Sequence, residues 1–309
     1  MCRIDSLQGV FIVDIKRCDL LTRFLSKSWP DKKNAIYFRL RSMGNRLFES
    51  LLLPVRLPYG GWWLGAIDSC RDAIVEGRFE EAEWRFVKRF LKKGMTVLDI
   101  GAHHGFYTIL AAKKVGGEGR VIAFEPSARE RWRLLTNLKF NHCSKVKVEP
   151  FAVSNIDGEA PFFVVDGRQT MFNSLRPPAI SAPTRMVVVK TVTLDNYLAK
   201  EHIQRMDFVK IDAEGTELAI LTGAQNSFGT KFRPVIMIEA SDLRTSQWNY
   251  SASAIHEKLA LQGYRWFTLE RDGQLRPYQN STAQYNFVAV PEEKLDQLQE
   301  FTQPVEQAF

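Results

Sequence analysis

The sequence predicts a doubly wound α/β fold: a mostly parallel seven-stranded sheet covered by helices on both faces, preceded by an N-terminal helical appendage. Three observations predict it. From Gly94 onward, short apolar runs alternate with amphipathic stretches of helical period. The runs are rich in Val, Ile and Phe with little polar alternation, as strands buried on both faces require. The first run ends in a glycine-bearing turn, Asp99-Ile100-Gly101-Ala102-His103-His104-Gly105, that opens directly into a helix.

Residues 1–60 form the appendage. Apolar stretches at Ile36–Leu40 and Leu47–Leu53 are interleaved with Arg and Lys, and Pro54, Pro58 and Gly60-Gly61 then punctuate the chain. This segment holds 11 Lys and Arg against 5 Asp and Glu, so +6 of the net charge of +7 belongs to it and the rest of the chain is near neutral. Its readings are a lid, a dimer contact, a patch that makes peripheral contact with an anionic membrane, or a helix packed with its basic side in water. Residues 61–93 connect it to the main domain through a helical pattern from Phe79 to Leu91, closed by Gly94 as a C-terminal cap.

The domain proper spans 94–291. Its strands are Thr96–Ile100, Val121–Phe124, Val146–Val153, Phe208–Ile211, Val235–Ile238, Tyr264–Leu269 and Tyr285–Val290. The helices between them are Phe106–Lys114, Ala128–Phe140, Glu217–Ala224 and Ala252–Leu261. A long insertion between the third and fourth strands carries the strand-like Ala160–Val165 and Met186–Val192. The final two strands lie close in sequence, which suits an antiparallel, hairpin-like sheet edge. Residues 292–309 read as a tail.

Composition excludes several classes. No apolar run approaches the ~20 residues of a membrane-spanning helix, and the N-terminus lacks the order of a secretory signal, so a cytoplasmic protein is expected. Cys2, Cys18, Cys70 and Cys143 form no CxxC pair, and no HExxH is present, which argues against a disulfide framework or a zinc hydrolase. A near-neutral main domain disfavours a nucleic-acid partner.

The chemistry concentrates at the strand ends. Gly101 and Gly105 let the backbone approach a ligand closely, and the helix N-terminus that follows offers unpaired N–H groups. The spacing is GxxxG, not the GxGxxG of a dinucleotide site. It suits the ammonium and carboxylate of a methionine moiety, with Asp99 as the ammonium-side or water-mediated partner and Gly101, Ala102, His103 and Gly105 as cofactor-binding residues of the turn. Glu125, at the end of the second strand with Pro126 and Ser127 beside it, is placed to accept both ribose hydroxyls. Ala152 marks the sheet edge where an adenine would lie. S-adenosylmethionine is the cofactor these features point to.

The combination resembles the FkbM-type family of S-adenosylmethionine-dependent methyltransferases. The matching stretches are VLDIGAHHGFYTILAA (97–112), VIAFEPS (121–127), VEPFAVSN (148–155), NSL (173–175), TVTLDNYL (191–198), FVKIDAEGTELAILTGA (208–224) and PVIMIEAS (234–241), and the likeness runs over about residues 76 to 290. The resemblance implies a class I methyltransferase (Rossmann-like) fold and O-methylation of a hydroxyl on a sugar, glycan or other small metabolite. His103-His104 departs from the family pattern, which commonly has Asn and an aliphatic residue; His103 can still bond the methionine carboxylate, whereas His104 packs or faces solvent.

The fourth and fifth strands end at Asp212 and Glu239. With Glu214, these carboxylates are the candidate catalytic groups, either taking the acceptor's proton or, through Asp212 and Glu239, holding a divalent cation such as Mg. Glu217 caps its helix or joins the site, Asp195 reads as an N-cap, and Lys210 has no assigned role. Asn173 and Ser174, with Arg168 nearby, contact substrate or belong to an ordinary surface loop. Trp62, Trp63 and Trp248 stack on a sugar or pack in the core. A nucleic-acid methyltransferase is the alternative, against which stands the lack of an Asn/Asp-Pro-Pro-Tyr/Phe or Pro-Cys motif at strand four. A non-catalytic module is disfavoured by Glu125 and Asp212, and a nicotinamide oxidoreductase by the glycine spacing.

Overall fold

The computed structural model of the chain describes residues 53–65, 68–279 and 285–302. Residues 1–52, which make up most of the expected appendage, and Cys2 and Cys18 lie outside them. Within the described residues the chain starts with an antiparallel hairpin of β1 (Leu53–Arg56) and β2 (Trp62–Gly65). Two helices follow, α1 (Ser69–Val75) and α2 (Glu81–Phe90). Asp68 caps α1 by accepting the Arg71 N–H at 2.9 Å. The buried side of α2 carries Trp84, Phe86 and Val87, while Glu81 and Arg85 pair at 2.8 Å on its outer side.

The central sheet begins with β3 (Thr96–Ile100), α3 (Phe106–Val115), β4 (Arg120–Phe124), α4 (Ala128–Phe140) and β5 (Lys147–Glu149). After an insertion it resumes with β9 (Phe208–Ile211), α6 (Glu217–Gly223), β10 (Val235–Glu239), the short α7 (Asp242–Thr245), α8 (Ala252–Ala260), β11 (Tyr264–Leu269), β12 (Leu275–Pro277) and β13 (Asn286–Pro291). The insertion contributes β6 (Ala152–Ser154), β7 (Gly158–Val165), β8 (Thr184–Thr193) and α5 (Leu194–Lys200).

Strand order in the sheet is β12-β11-β13-β10-β9-β3-β4-β5, with β5, β4, β3, β9 and β10 parallel and β13 antiparallel to its neighbours. Alternate residues of each strand feed separate cores. Val97, Val121 and Phe208 face α2 and α3, whereas Leu98, Ile122 and Val209 face α5, α6 and α8. Truncating one such side chain, as in Leu98→Ala, costs roughly 2–5 kcal/mol by the cavity it leaves. The chain winds outward from β3 in one direction and from β9 in the other. The crevice at their carboxyl ends is therefore the switch point where doubly wound folds bind ligands.

Four expectations need correction. The run Val146–Val153 is not one strand: Pro150 interrupts it, leaving β5 in the main sheet and β6 in a three-stranded sheet with β8 and β7. The main sheet has eight strands, because β12 adds an edge beyond β11. The antiparallel strand is not at the edge either, since β13 inserts between β10 and β11. Finally, Gly94 does not cap α2, which ends at Leu91 in extended geometry; Gly94 (φ +80°) instead ties to the Val115 carbonyl at the turn into β3. The segment after β13 is a 3-10 helix, Glu292–Phe301, with Leu298 and Phe301 buried.

Candidate active site

At the end of β3 the main chain turns sharply through Gly101 (φ +81°). A Cβ there would lie 1.8 Å from the Asp212 carbonyl oxygen, so only glycine fits between the first and fourth strands. Gly105 (φ +91°) starts α3, and a Cβ there would sit 2.5 Å from Leu134. His103 lies between them and is itself left-handed at φ +48°. That conformation aims its N–H at Glu125 Oε2, 2.8 Å away, while the Ser127 N–H donates to Oε1 at 2.9 Å. Glu125 is thus buried and gripped by main chain. Burial and the nearby Glu130 charge push its pKa up to about 8, against the pull of the two N–H donors.

Two cavities meet at this turn. The first, partly open to solvent, is lined by Gly101, Glu125, Pro126, Phe151, Ala152 and Asn173 among others. The second is lined by Trp63, Glu80, Asp99, Ala102, Lys210 and Glu239 among others. Gly101, His103, Met171, Asp212 and Glu214 border both. The sequence-derived cofactor residues therefore gather around one trough. Gly105 and Ser127 line neither cavity: Gly105 starts α3, while the Ser127 N–H holds Glu125 and its hydroxyl accepts the Glu130 N–H at 3.5 Å as the cap of α4.

Asp99 sits at the inner wall of the second cavity, 2% exposed. Thr108 donates to its Oδ2 at 2.6 Å, but Oδ1 is buried with no partner among the described residues. Burial raises its pKa, with Lys210 pulling the other way. The ring of His103 bonds Thr170 Oγ1 at 3.1 Å through Nε2, and burial holds its pKa well below the usual value, so it is a neutral imidazole.

The carboxylate end is more elaborate than the sequence suggested. Asp212, Glu214 and Glu239 do converge, with one oxygen of each within 4.8 Å of the others. Lys210, given no role above, is buried among them: its Nζ donates to Asp212 Oδ2 at 2.8 Å and lies 4.8 Å from the Tyr107 ring centre. Burial alone would lower its pKa; Asp212, Glu80 and Asp99 outweigh that and raise it, so it is an ammonium. Arg244 of α7 pairs with Glu214 at 3.0 Å and Glu239 at 3.7 Å. Burial followed by the Asp212 charge raises the pKa of both Glu214 and Glu239. Glu239 Oε2 has no partner among the described residues. Glu217 reaches back to the Ala213 N–H at 2.9 Å, the capping alternative.

Other assignments change. Ser174 is buried, and its hydroxyl donates to the Glu214 carbonyl at 2.9 Å; it latches the insertion to the site instead of facing a substrate. Asn173 lines the first cavity, its Oδ1 accepting the Val165 N–H at 2.8 Å and its Nδ2 donating to Glu130 at 3.2 Å. Arg168 is held by Asp72 of α1. Asp195 does not cap α5, whose cap is Thr193; it accepts from the N–H groups of Asn226 and Ser227 at 2.9 and 2.8 Å. Trp63 is buried in the second cavity wall with its indole N–H on the His104 carbonyl, whereas Trp62 is exposed and Trp248 stacks beneath Arg176. His104 packs, fully buried: its Nε2 lies 3.1 Å from Arg133 Nη1 and 3.4 Å from Glu130. Lys210 stands in the stretch FVKIDAEGTELAILTGA as a Lys inside an otherwise apolar strand, whereas no local motif announces Arg244 or Glu80 as site residues.

The sequence model described as the methyltransferase FkbM domain matches residues 99–266, more than half of the chain. The chain belongs to this family. Among curated proteins this FkbM methyltransferase is similar to the AMB antimetabolite synthetase AmbE of Pseudomonas aeruginosa, 25% identical over 228 residues, 63% of this chain but 10% of the synthetase. It is also similar to the ribosomal RNA large subunit methyltransferase E of Nitrobacter winogradskyi, 58% identical over 40 residues, 12% of this chain and 17% of that protein. The matched stretches thus span a small part of both relatives. Among solved structures, the O-methyltransferase from Bacillus cereus in complex with SAH aligns with 16% identity and a TM-score of 0.40, covering 68% of this chain and 79% of that one. With the strand order above, the FkbM methyltransferase has the class I methyltransferase fold.

Proposed function

We propose that this FkbM methyltransferase takes its methyl group from S-adenosylmethionine and places it on a hydroxyl of a sugar, glycan or other small metabolite. The observation that carries the reading is the pair of acidic groups on either side of one glycine turn: Asp99 with an unpartnered buried oxygen, and Glu125 with each oxygen held by one N–H. Asp99 Oδ1 fits an ammonium. Each Glu125 oxygen keeps a lone pair for a ribose hydroxyl. The residues therefore fit the cofactor, which when bound would supply an electrophilic methyl group.

On the acceptor side, Glu80, Asp212, Glu214 and Glu239 stand against the cations Lys210 and Arg244. Such a surface repels a phosphate backbone and suits a neutral polyhydroxylated molecule, with Trp63 and Phe79 as apolar walls. Asp212, oriented by Lys210, is the group placed to hold the reacting hydroxyl. A divalent cation at Asp212 and Glu239 is a second reading, favoured by the convergence of three carboxylates. It requires that Arg244 move off Glu239, and full turnover after exhaustive chelation would dismiss it.

Isothermal titration with S-adenosylmethionine tests the main reading. Glu125→Ala is expected to weaken binding by at least about tenfold, the loss of two hydrogen bonds to the buried carboxyl. Asp212→Asn is expected to bind normally and to transfer no label from methyl-labelled donor to a host extract. Unchanged affinity in Glu125→Ala would refute the ribose assignment.

A further inference from the structure

We propose that Glu80 is the base that receives the acceptor's proton, an assignment that rests on the methyl-transfer reading above. Glu80 precedes α2, far in sequence from every strand-end motif. Its backbone is left-handed, φ 42° and ψ 51°, a conformation uncommon for a non-glycine residue that persists only where surrounding structure holds it. The consequence is placement: the side chain of Glu80 lines the second cavity with Lys210 and Asp212 instead of capping its own helix. Its Oε2 accepts the Tyr107 hydroxyl at 2.6 Å, and its Oε1 has no hydrogen-bond partner among the described residues. Asp212, by contrast, already receives Lys210 on Oδ2.

Two carboxylates in one cavity thus have different partners, a phenol for one and an ammonium for the other. A base works best with a pKa near the working pH. Burial lifts Glu80 to about 7; Lys210 and the Tyr107 hydroxyl pull it down, and Asp212 and Glu83 push it up. Asp99, Glu214, Glu239, Arg244 and the rings of His103 and His104 line the same cavity, and the Cys70 thiol of α1 is kept protonated by burial. In the step, the acceptor hydroxyl loses its proton to a Glu80 oxygen as its own oxygen forms the new bond to carbon. The pair of the breaking carbon–sulfur bond leaves with sulfur, and Glu80 then returns the proton to solvent.

Glu80→Gln keeps the size of the side chain and an acceptor for Tyr107 but takes no proton. With methyl-labelled S-adenosylmethionine and a host extract as probe, it is expected to lower incorporation at least about 100-fold while donor affinity stays within about twofold. A second readout needs no acceptor. In carboxyl-¹³C-glutamate-labelled protein, the signal missing from Glu80→Gln is expected to titrate near 7. In Tyr107→Phe, which removes a bond to the ionised form, the same signal moves to higher pH, and the lower limb of the pH profile of incorporation moves with it, which a purely structural role of Glu80 would not produce. Wild-type incorporation by Glu80→Gln, or a Glu80 signal titrating below about 5, overturns the inference alone. If the wild-type protein itself binds the donor but transfers no label, the methyl-transfer reading fails and Glu80 loses its role with it.

Discussion

The two halves of the trough are built from different material. On the proposed cofactor side, one contiguous stretch from Asp99 to Gly105 supplies the turn and the buried Asp99 carboxyl, and main-chain N–H groups of His103 and Ser127 fix the second acidic side chain, Glu125. On the acceptor side the groups are side chains drawn from the hairpin, the approach to α2, α3, β9, β10 and α7, and they hold one another by charge. A site made of backbone tolerates almost no change at its glycines. A site made of paired side chains tolerates individual changes but responds as a whole to pH.

The largest effect should come from breaking the cofactor half. Gly101→Ala places a methyl group 1.8 Å from the Asp212 carbonyl, a clash between two main-chain segments that no rotamer relieves. We expect loss of measurable S-adenosylmethionine binding by calorimetry, and a drop in Tm from forcing β3 and β9 apart. Donor binding at wild-type strength in Gly101→Ala would show that the turn is not the cradle.

An intermediate effect separates the halves by pH. Glu80, Glu125 and Glu217 have folded-state values of about 7, 8 and 7, above the ordinary 4.5, and Glu214 and Glu239 are also raised. The folded protein therefore keeps protons that the unfolded chain has released. Their stabilising contribution is complete below about pH 4.5 and is lost as the pH climbs through about 8. Tm in the absence of ligands is expected to fall between about pH 6 and pH 8.5. Glu125→Gln should remove only part of that slope, because most of the raised carboxyls lie on the acceptor side. A Tm independent of pH over this window would show that the carboxylates are less buried than the fold implies.

The same division explains what was legible in the sequence. The helices Phe106–Val115 and Ala128–Phe140, the strand cores and the Asp99–Gly105 turn could be read because local pattern sets them: glycines where φ is positive, Ser127 ahead of a helix, unbroken Val and Ile in buried strands. The break at Pro150 and the position of β13 were not legible, since which strand pairs with which depends on contacts distant in sequence. Lys210, Arg244 and Glu80 escaped for a related reason. Each is an ordinary charged residue until the fold brings it beside Asp212 or Glu239. For Ser174 the sequence left a substrate contact and an ordinary surface loop open; its hydroxyl donates to the Glu214 carbonyl, which sequence cannot place nearby.

That latch offers the finest test of the contrast. Glu214 is left-handed at φ +53°, and the Ser174 hydroxyl on its carbonyl is one of the few bonds tying the insertion to the acceptor side. Ser174→Ala removes a buried hydrogen bond and is expected to cost about 1 kcal/mol of stability. If the cofactor half is independent of such side-chain ties, donor affinity measured by calorimetry in this variant should match the wild type. Transfer of label to acceptor should fall severalfold, because the carboxylate of Glu214 and its partner Arg244 lose their anchor. An equal loss in donor binding would mean that the two halves are mechanically one, and that the insertion, not the glycine turn alone, shapes the cofactor crevice.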